Sequence, residues 1–566
     1  MKFKDMLYTR PDENAYRQEM QALLKELEQA KDAETFFPVF AKTNTMRRHL
    51  KTMMILVEIR HTINTADTFY EKENAYWDEA GPQYTALDID LYKIAVNKPY
   101  RKDLLKEIPA SWFALGECAL RTFDLAVIED MVEENKLMSA YGKLKASALI
   151  DFDGKKLNLA QMGPYMQSTD RSTRKAAYDA NIAFFAEHED EFDRIYDCLV
   201  KVRNRMAVKL GFANYHAMSF YTMNRIGYHA SDIAKLRQAV QEYVTPMVLK
   251  ITDAQRQRLG LDQIAYYDLD LEFKDGNAVP HGNAEELIQY ASKMYHEMSP
   301  ETGSFIDLMV DNELWDLLTR ANKEMGGYET EIPEYGVPFI FANFNGTSGD
   351  VDVLTHEAGH AFQTYMAGAI ENPDIATPTM EGAEIDSMSM EFFAYPWMHL
   401  FFQKQADRYR YAHMAKTICF LPYGALVDHF QEEVYTHPDW TPAERKACWR
   451  KLEKRYQPYK NYDGCALLEK GCWWYRQNHV FQSPFYYIDY VLAQICAQQF
   501  FLRKEEGDKA YWQDYLSLLR LGGTKNFTEL VKEAHLQSPF EANTIRMVMD
   551  KLEVWLKDMQ AKALQA

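Results

Sequence analysis

The sequence predicts a mainly helical protein with a small amount of β-structure. Over most of the 566 residues, apolar side chains recur three and four positions apart, which is the spacing of one face of an α-helix. Only three segments alternate at the two-residue period of a strand. A chain of this length can bury a large core, and we expect either more than one domain or one large helical unit.

Composition excludes several classes of protein. With 47% hydrophobic and 26% charged residues, the chain is typical of globular proteins. The net charge of −19 argues against a nucleic-acid partner, because phosphate binding needs a basic surface. The amino terminus has no apolar signal region, and no apolar run is long enough for a membrane span. The seven cysteines include no CxxC pair, which favours a reducing compartment, and a cytoplasmic location is predicted.

Several helices can be placed in chain order from their periodicity and start signals. AYRQEMQALLKELEQA follows the helical period after Asp12. SDIAKLRQAVQEYVTPMV does the same, with Ser231 as the predicted cap. In WTPAERKACW, Thr441 is the predicted cap and Glu444 completes a capping box. The simplest interpretation of each is a helix that buries its apolar face in the core.

Three segments predict β-structure. ALIDFDGKKLNLAQM alternates on either side of Asp153-Gly154 and indicates a hairpin. AYYDLDLEFKDGN alternates again and predicts a strand. EYGVPFIFANF predicts a strand over 337–344, which Pro338 should restrict to the edge of a sheet, because proline has no N–H to donate. The hairpin is also the best candidate boundary, so we predict an amino-terminal helical region of residues 1–160 and a second region of residues 161–566.

A pair of histidines in VLTHEAGHAF indicates a metal site. An α-helix turns 100° per residue, so His356 and His360 project from one face and can share an ion, with Glu357 on the flank of that face. This arrangement suits a zinc hydrolase in which Glu357 takes a proton from a zinc-bound water. Chance alone would place H-E-x-x-H in roughly three of a hundred such chains, so the motif needs support. Gly359, a poor helix former, suggests that another element packs closely here.

A catalytic zinc ion needs a third protein ligand and an open position. MEGAEIDSMSMEFFAYPW offers four carboxylates, those of Glu381, Glu384, Asp386 and Glu391. Glu384 and Glu391 lie on one face of a predicted helix, so that one can bind the metal while the other orients a ligand histidine through its second nitrogen. From the residues alone, the alternative for each acid is a solvated helix face.

HEAGH followed by EIDSMSMEFF resembles the zinc oligopeptidases of the thimet oligopeptidase and neurolysin family, and within it the bacterial oligoendopeptidase F branch. MQSTDRSTRKAAYDANIAFF, VRNRMAVKLGFANYHAMSF and LGGTKNFTELVKEAHLQSPF are also similar to that branch. The resemblance makes Glu384 the third ligand of one Zn²⁺ per chain. It also implies a mainly α fold, with two helical lobes that enclose a deep substrate channel and a small β-sheet beside the zinc site. Such a channel would admit only short unstructured peptides.

The resemblance further implies a group of oxyanion donors in NHVFQSPFYYIDYVLAQ. Family members place a histidine and tyrosines of this region against the oxyanion of the tetrahedral intermediate. His479 is the candidate histidine, Tyr487 and Tyr490 are the preferred tyrosines, and Tyr486 is the alternate. From the residues alone, the alternative is an aromatic stripe that packs in the core, since the chain has 36 tyrosines.

The prediction is therefore a cytoplasmic zinc endopeptidase that hydrolyses internal bonds of short oligopeptides, with no nucleic-acid or membrane partner. The strand at 337–344 would pair with an extended peptide by strand addition. One alternative is a zinc carboxypeptidase or dipeptidase that shares the motif, and another is a non-catalytic helical scaffold in which the motif is accidental. Oligomeric state and cleavage-site preference do not follow from the sequence.

Overall fold

The computed structural model describes residues 1–565 and confirms a mainly helical fold. Helices account for 70% of the chain, and the β-structure is confined to small sheets. The amino-terminal helices are α1 (Glu13–Gln29), α2 (Ala33–Ile63), α3 (Thr68–Val96), α4 (Arg101–Leu104), α5 (Ala110–Thr122) and α6 (Ile128–Ala146).

The predicted hairpin follows α6. It consists of β1 (Ile150–Phe152) and β2 (Lys155–Leu157), which pair antiparallel. Asp153 and Gly154 form the turn with φ values of 51° and 69°, the left-handed conformation that a two-residue hairpin turn requires. This prediction is confirmed.

The central helices run from the hairpin to the second sheet. They are α7 (Gly163–Met166), α8 (Arg171–Glu187), α9 (Glu189–Lys209), α10 (Tyr215–Thr222), α11 (Ala230–Ala239), α12 (Thr245–Leu259), α13 (Ala284–Met298) and α14 (Pro300–Asp311). The predicted cap at Ser231 is wrong by two positions. Helix α11 already begins at Ala230, and the Asp232 carboxylate accepts a hydrogen bond from the backbone N–H of His229, which fixes the start there.

The predicted strand in AYYDLDLEFKDGN is also wrong. This segment is irregular apart from one 3₁₀ turn at Tyr266–Asp268. Its alternation has another cause, because the Asp268 carboxylate turns inward. It is buried and accepts hydrogen bonds from Arg171 and Arg174 and from the backbone of Ala265. Asp268 therefore occupies a polar position in the alternating pattern although it is buried, because its partners compensate the buried charge. The alternation arises without any strand pairing.

The second sheet lies directly before the helix that carries the histidine motif. Its strands are β3 (Trp315–Leu318), β4 (Tyr328–Ile332) and β5 (Val337–Phe344), in the order β3-β5-β4. Strand β5 is therefore central, and its prediction as an edge strand was wrong. Pro338 is tolerated because it pairs with Glu331 on one side, while β3 reaches only as far as Ile340 on the other.

The remaining helices form the carboxy-terminal half of the chain. They are α15 (Gly349–Met366), α16 (Met380–Phe393), α17 (Met398–Phe402), α18 (Ala406–Thr436), α19 (Pro442–Tyr456), α20 (Ala466–Lys470), α21 (Asn478–Gln482), α22 (Tyr487–Glu505), α23 (Tyr511–Leu521), α24 (Phe527–Glu533) and α25 (Ala542–Ala563). The predicted starts of α1 and α19 are confirmed. Asp12 caps α1, and Thr441 and Glu444 form the capping box of α19.

In the part of the chain that the structure describes, three hydrophobic clusters hold these elements together, and a minor one lies around Tyr178 and Tyr266. Of the other two, the larger contains buried residues from Met6 to Ala563, and the packed helices α15, α16, α18 and α22 contribute to it. The smaller is built mainly from α1, α2, α3 and α5, around Phe36 and Trp112. Helix α2 belongs to both, so burial does not mark a clean break between the two regions, and the boundary at residue 160 stays a prediction. Within residues 1–565, no helix has the length and apolar composition that crossing a membrane would require.

Candidate metal centre

The candidate ligands come from two helices that pack tightly against each other. Helix α15 carries His356 and His360 on one face, and α16 carries Glu384. One ligand atom from each residue lies within 4.8 Å of the others. The Nε2 atoms of His356 and His360 are 3.3 and 3.5 Å from Oε2 of Glu384. The structure thus brings together all three residues predicted to hold the metal.

Gly359 explains why the two helices can approach so closely. A β-carbon at this position would lie 2.5 Å from the Cα of Ser387 and 2.8 Å from the carbonyl oxygen of Asp386, both on α16. Only a residue without a side chain fits there, so the expectation of close packing at Gly359 is confirmed. The glycine lies between the two histidines, and the contact therefore sets the distance from the imidazoles to the carboxylate.

Glu384 is almost fully buried, with 1% of its surface exposed. Its Oε2 accepts a hydrogen bond of 2.9 Å from the Ser387 hydroxyl, and its Oε1 accepts one from the Tyr486 hydroxyl. Burial by itself would raise the pKa of this carboxyl, but the adjacent imidazoles outweigh burial and hold the pKa well below its usual value. Glu384 is therefore an oriented carboxylate anion.

The second nitrogen of His356 is held by Glu391. Nδ1 of His356 lies 2.6 Å from Oε1 of Glu391, as the sequence suggested for one of the two carboxylates on this helix face. The other oxygen of Glu391 contacts Nε2 of His413 at 2.7 Å, and Nδ1 of His413 contacts the Tyr395 hydroxyl at 2.8 Å. Burial would raise the pKa of Glu391, but its hydrogen bonds to His356 and His413 lower it to about 2.

His413 was not identified from the sequence. It lies on α18, 22 residues beyond Glu391, where no helical spacing connects it to the motif. In the sequence, His413 appears only as a histidine on the apolar face of a long helix. Such a histidine is more often a buried core residue with its hydrogen bonds satisfied than part of a metal site.

The electrostatics of the cluster suit a cation. Burial would lower the pKa of His356 and His360, yet the carboxylates outweigh burial and raise the pKa of both imidazoles. The negative potential that favours a proton here favours a metal ion as well. Two imidazole nitrogens and one carboxylate oxygen are the kind of three-ligand donor set that catalytic zinc sites use.

Glu357 lies beside this cluster and not within it. It is 6% exposed, and burial is the main cause that raises the pKa of its carboxyl. A β-carbon at Gly327, next to β4, would lie 3.1 Å from Oε1 of Glu357. The carboxylate therefore occupies the space between α15 and the start of β4.

Tyr486 contacts Glu384, and His479 and Tyr490 pack against Tyr486. Nε2 of His479 is 3.1 Å from the Tyr490 hydroxyl, and Tyr486 and Tyr490 stack with their ring centroids 4.9 Å apart. Burial lowers the pKa of His479 to about 4, so its imidazole is neutral near pH 7.

Of the two neighbouring tyrosines, the structure brings the alternate, Tyr486, and not the preferred Tyr487 into contact with Glu384. The Tyr486 hydroxyl donates to Glu384, whereas the Tyr487 ring packs against Phe420 and Tyr423, with centroid separations of 5.5 and 5.6 Å. Tyr487 does touch His479, at a centroid separation of 5.0 Å, but its hydroxyl has no contact with the ligand cluster. Tyr486 and Tyr490 are four residues apart, and this spacing also shares a helix face.

The segment that carries His479 is anchored by the amino-terminal region. Lys145 on α6 donates to the side-chain oxygen of Asn478 and, at 2.8 Å, to the carbonyl of Arg476. The Asn478 amide in turn donates to the carbonyl of Met325, just before β4. Burial lowers the pKa of Lys145 to about 7. The amino-terminal helices thus help to position the donor side of the site.

The other two acids of the α16 segment do not join the cluster. Glu381 accepts a hydrogen bond from the Tyr228 hydroxyl at 3.1 Å. Asp386 is buried, and burial raises the pKa of its carboxyl well above the usual value. Neither belongs to the group that could hold a metal ion.

Comparison with known proteins identifies the family. Residues 164–549 match peptidase family M3, and residues 3–123 match the peptidase M3 N-terminal domain. The chain belongs to peptidase family M3. Among curated relatives, oligopeptidase PepF of Bacillus subtilis (strain 168) is 22% identical over 595 aligned positions, covering 96% of this chain and 85% of PepF.

Solved structures place this M3 peptidase in the oligoendopeptidase F branch. Pz peptidase A, solved with an inhibitor, superposes with a TM-score of 0.98 at 46% identity and covers 98% of this chain and 99% of its own. A Bacillus anthracis str. Ames protein assigned to oligoendopeptidase F superposes with a TM-score of 0.93 at 42% identity, covering 99% of both chains. The protein is a peptidase that acts on oligopeptides. The family match leaves no support for the non-catalytic scaffold.

Proposed function

We propose that the protein is a zinc-dependent endopeptidase that hydrolyses internal bonds of short unstructured peptides. The observation that carries this proposal is the cluster of His356, His360 and Glu384, whose ligand atoms lie within 4.8 Å of one another beside the buried Glu357. These three residues would hold one zinc ion. Membership of peptidase family M3 supports the assignment to peptide hydrolysis.

The roles of the surrounding side chains follow from their contacts. A bound zinc ion would supply Lewis acidity that polarises the attacking water and the scissile carbonyl. Glu357 accepts the proton of the water and passes it to the leaving amine, and the raised pKa of its buried carboxyl makes it a stronger base. Glu391 accepts the Nδ1 proton of His356, which leaves Nε2 free as the donor atom toward the metal.

Tyr490 is the proposed donor to the oxyanion, and His479 steadies the oxyanion through its contact with the Tyr490 hydroxyl. His479 is neutral near pH 7, because burial lowers its pKa to about 4, and its Nε2 contacts the Tyr490 hydroxyl. Hydrogen-bond donors that are already in place stabilise the charge that develops in the transition state. Tyr486 supports the site by donating to Glu384. Tyr487, whose hydroxyl does not contact the ligand cluster, is no longer proposed as an oxyanion donor.

Strand β4 replaces β5 in the proposed binding of substrate. It is an edge strand of its sheet, and it begins next to Gly327, which lies against Glu357. An extended peptide that added to this edge would run past the general base. A substrate bound as a strand has to be unstructured over several residues, which agrees with short peptides as substrates.

Two measurements test the proposal: the zinc content of the purified protein and the cleavage of one blocked peptide. Purified protein should contain close to one zinc per chain, and a chelator should abolish cleavage of an internally quenched peptide that is blocked at both ends. Full activity without metal would refute the metal assignment. If the blocked peptide resists cleavage while the same peptide with free ends is cut, the protein is a carboxypeptidase or dipeptidase instead.

Substitution of Glu357 by Gln tests the general base. Zinc content should stay unchanged, while kcat falls by roughly 10²–10⁴-fold, the usual contribution of general acid–base catalysis. Retained turnover in a zinc-loaded Glu357→Gln enzyme would exclude this role.

We also propose a cytoplasmic location, since all seven cysteines are free thiols.

A further inference from the structure

Behind His479, a chain of hydrogen bonds runs away from the candidate metal centre. The Tyr423 hydroxyl contacts Oε1 of Gln477 at 3.1 Å, and Nε2 of Gln477 contacts Nδ1 of His479 at 2.9 Å. Nε2 of His479 then meets the Tyr490 hydroxyl at 3.1 Å. The sequence offered no reason to single out Gln477 or Tyr423.

The amide of Gln477 gives this chain a direction. A primary amide has a donating end and an accepting end, and here the Tyr423 hydroxyl donates to the oxygen. The Gln477 nitrogen is then the end that faces His479, and it donates to Nδ1. A neutral imidazole that accepts at Nδ1 must carry its hydrogen on Nε2. His479 is neutral because burial lowers its pKa.

We infer that Gln477 is a positioning residue that keeps His479 in the Nε2–H tautomer and thereby keeps the proton of Tyr490 available to the substrate. With hydrogen on Nε2, His479 donates to the Tyr490 oxygen, and the phenolic proton of Tyr490 is free to turn toward an oxyanion. With hydrogen on Nδ1, the phenol would have to donate to Nε2 and would have no proton to offer. The inference rests on the proposed oxyanion role of His479 and Tyr490.

An isosteric substitution reverses the tautomer. An ionised glutamate at position 477 can only accept, so Gln477→Glu should move the hydrogen of His479 to Nδ1. Gln477→Leu removes the constraint without reversing it. Gln167→Glu is the control with the same change of charge. Gln167 is also half-buried and uses its Oε1 to accept from the Asn277 amide, so a carboxylate can keep that contact.

The first readout does not involve activity. In full-length protein labelled with ¹⁵N-histidine, the His479 signals are identified by their loss in His479→Gln. Their shifts report which ring nitrogen carries hydrogen. We expect hydrogen on Nε2 in the unmodified protein and in Gln167→Glu, and on Nδ1 in Gln477→Glu. Hydrogen on Nδ1 in the unmodified protein, or no change in Gln477→Glu, would overturn the inference.

The second readout connects the tautomer to Tyr490. Loss of one oxyanion donor costs roughly 10²–10³-fold in kcat, and we expect Gln477→Glu to lose a substantial part of this with KM little changed. Gln477→Leu should lose less. Tyr490→Phe should cost much less in the Gln477→Glu background than alone, because the phenolic proton is already consumed.

The two readouts separate failure of this inference from failure of the proposed function. If the tautomer switches while kcat is unchanged, the link to the Tyr490 proton is wrong and the proposed oxyanion role of the pair fails with it. If kcat falls without a tautomer switch, the inference is wrong and the proposed function stands. Full additivity of Tyr490→Phe and Gln477→Glu would likewise overturn the link.

Discussion

The two sides of the candidate site are built in different ways. The ligand side consists of His356, His360 and Glu384, which lie within 29 positions of one another on two regular helices in contact. The donor side consists of His479, Tyr486 and Tyr490, which lie on a short helix, a turn and the start of a long helix. The ligand side follows from helical spacing, whereas the donor side depends on the geometry of one turn.

That turn explains why Tyr486 faces Glu384. The chain reverses at Ser483–Phe485, and Phe485 has a φ of 69°, which is strained for a residue with a side chain. Arg225 stabilises the turn, because its guanidinium donates to the Phe485 carbonyl and to the Asp489 carboxylate. Regular spacing could not reveal this conformation, since it depends on an arginine about 260 residues earlier in the chain.

The largest effect should come from the ligand side. Glu384→Gln removes the only anionic member of the metal cluster, so we expect loss of bound zinc and of peptide cleavage. Glu381→Gln is the matched control, since Glu381 is also buried on α16 but bonds to Tyr228 and lies outside the cluster. Zinc content and turnover of the two variants should differ sharply, and equal behaviour would contradict the assignment of Glu384.

The contact between α15 and α16 should be the next most sensitive feature. In Gly359→Ala the new methyl group meets the α16 backbone, and overpacking of this kind costs roughly 1–3 kcal/mol of unfolding free energy. The helices must separate, so zinc affinity should fall as well. Gly81→Ala in α3 is the control, because nothing lies within 4 Å of its added carbon. Thermal unfolding and zinc titration of both variants decide the matter; a Gly359→Ala protein with normal zinc affinity would refute the packing argument.

The contacts by which Glu391 and His413 hold His356 should contribute less to zinc affinity than a ligand does. His413→Phe keeps the ring but removes the contact to Glu391, and outer partners of metal ligands usually contribute roughly 10–100-fold in metal affinity. His429→Phe on the same helix is the control, since His429 contacts the Tyr456 hydroxyl and not the site. Competition with a chelator measures zinc affinity in both variants. An equal loss in the two would indicate a general effect on α18.

The smallest effect should separate the two neighbouring tyrosines. Tyr486→Phe removes one hydrogen bond to the Glu384 carboxylate, and a hydrogen bond to a charged group is worth roughly 1.5–3 kcal/mol. We expect a loss of about tenfold in kcat/KM, at the lower end of that range. Ser387 still holds the carboxylate in this variant. Tyr487→Phe should change kcat/KM less, because its ring packing is preserved. The reverse order would restore Tyr487 as the tyrosine that faces the site.

Patterns that are local in the chain predicted the structure correctly. The helix of His356 and His360, the hairpin at Asp153-Gly154 and the capping box at Thr441 each depend on residues within one or two turns of one another. Local patterns that have a tertiary cause gave wrong predictions. The alternation around Asp268 arises from buried arginine partners on another helix, and the central position of β5 depends on β3, which is too short and too polar to stand out.

The chemistry of the candidate ligands could be predicted from the sequence alone, because helical spacing places the two imidazoles and the Glu357 carboxylate on adjoining faces of one helix. Glycine at position 359 also predicted that another element packs closely there, but not which one. Three contacts arise from tertiary packing alone: His413 with Glu391, Tyr486 with Glu384 and Gln477 with His479. These contacts join residues whose relative positions are set by the packing of α16, α18 and α22 and by a strained turn, and none of these leaves a periodic signal in the chain.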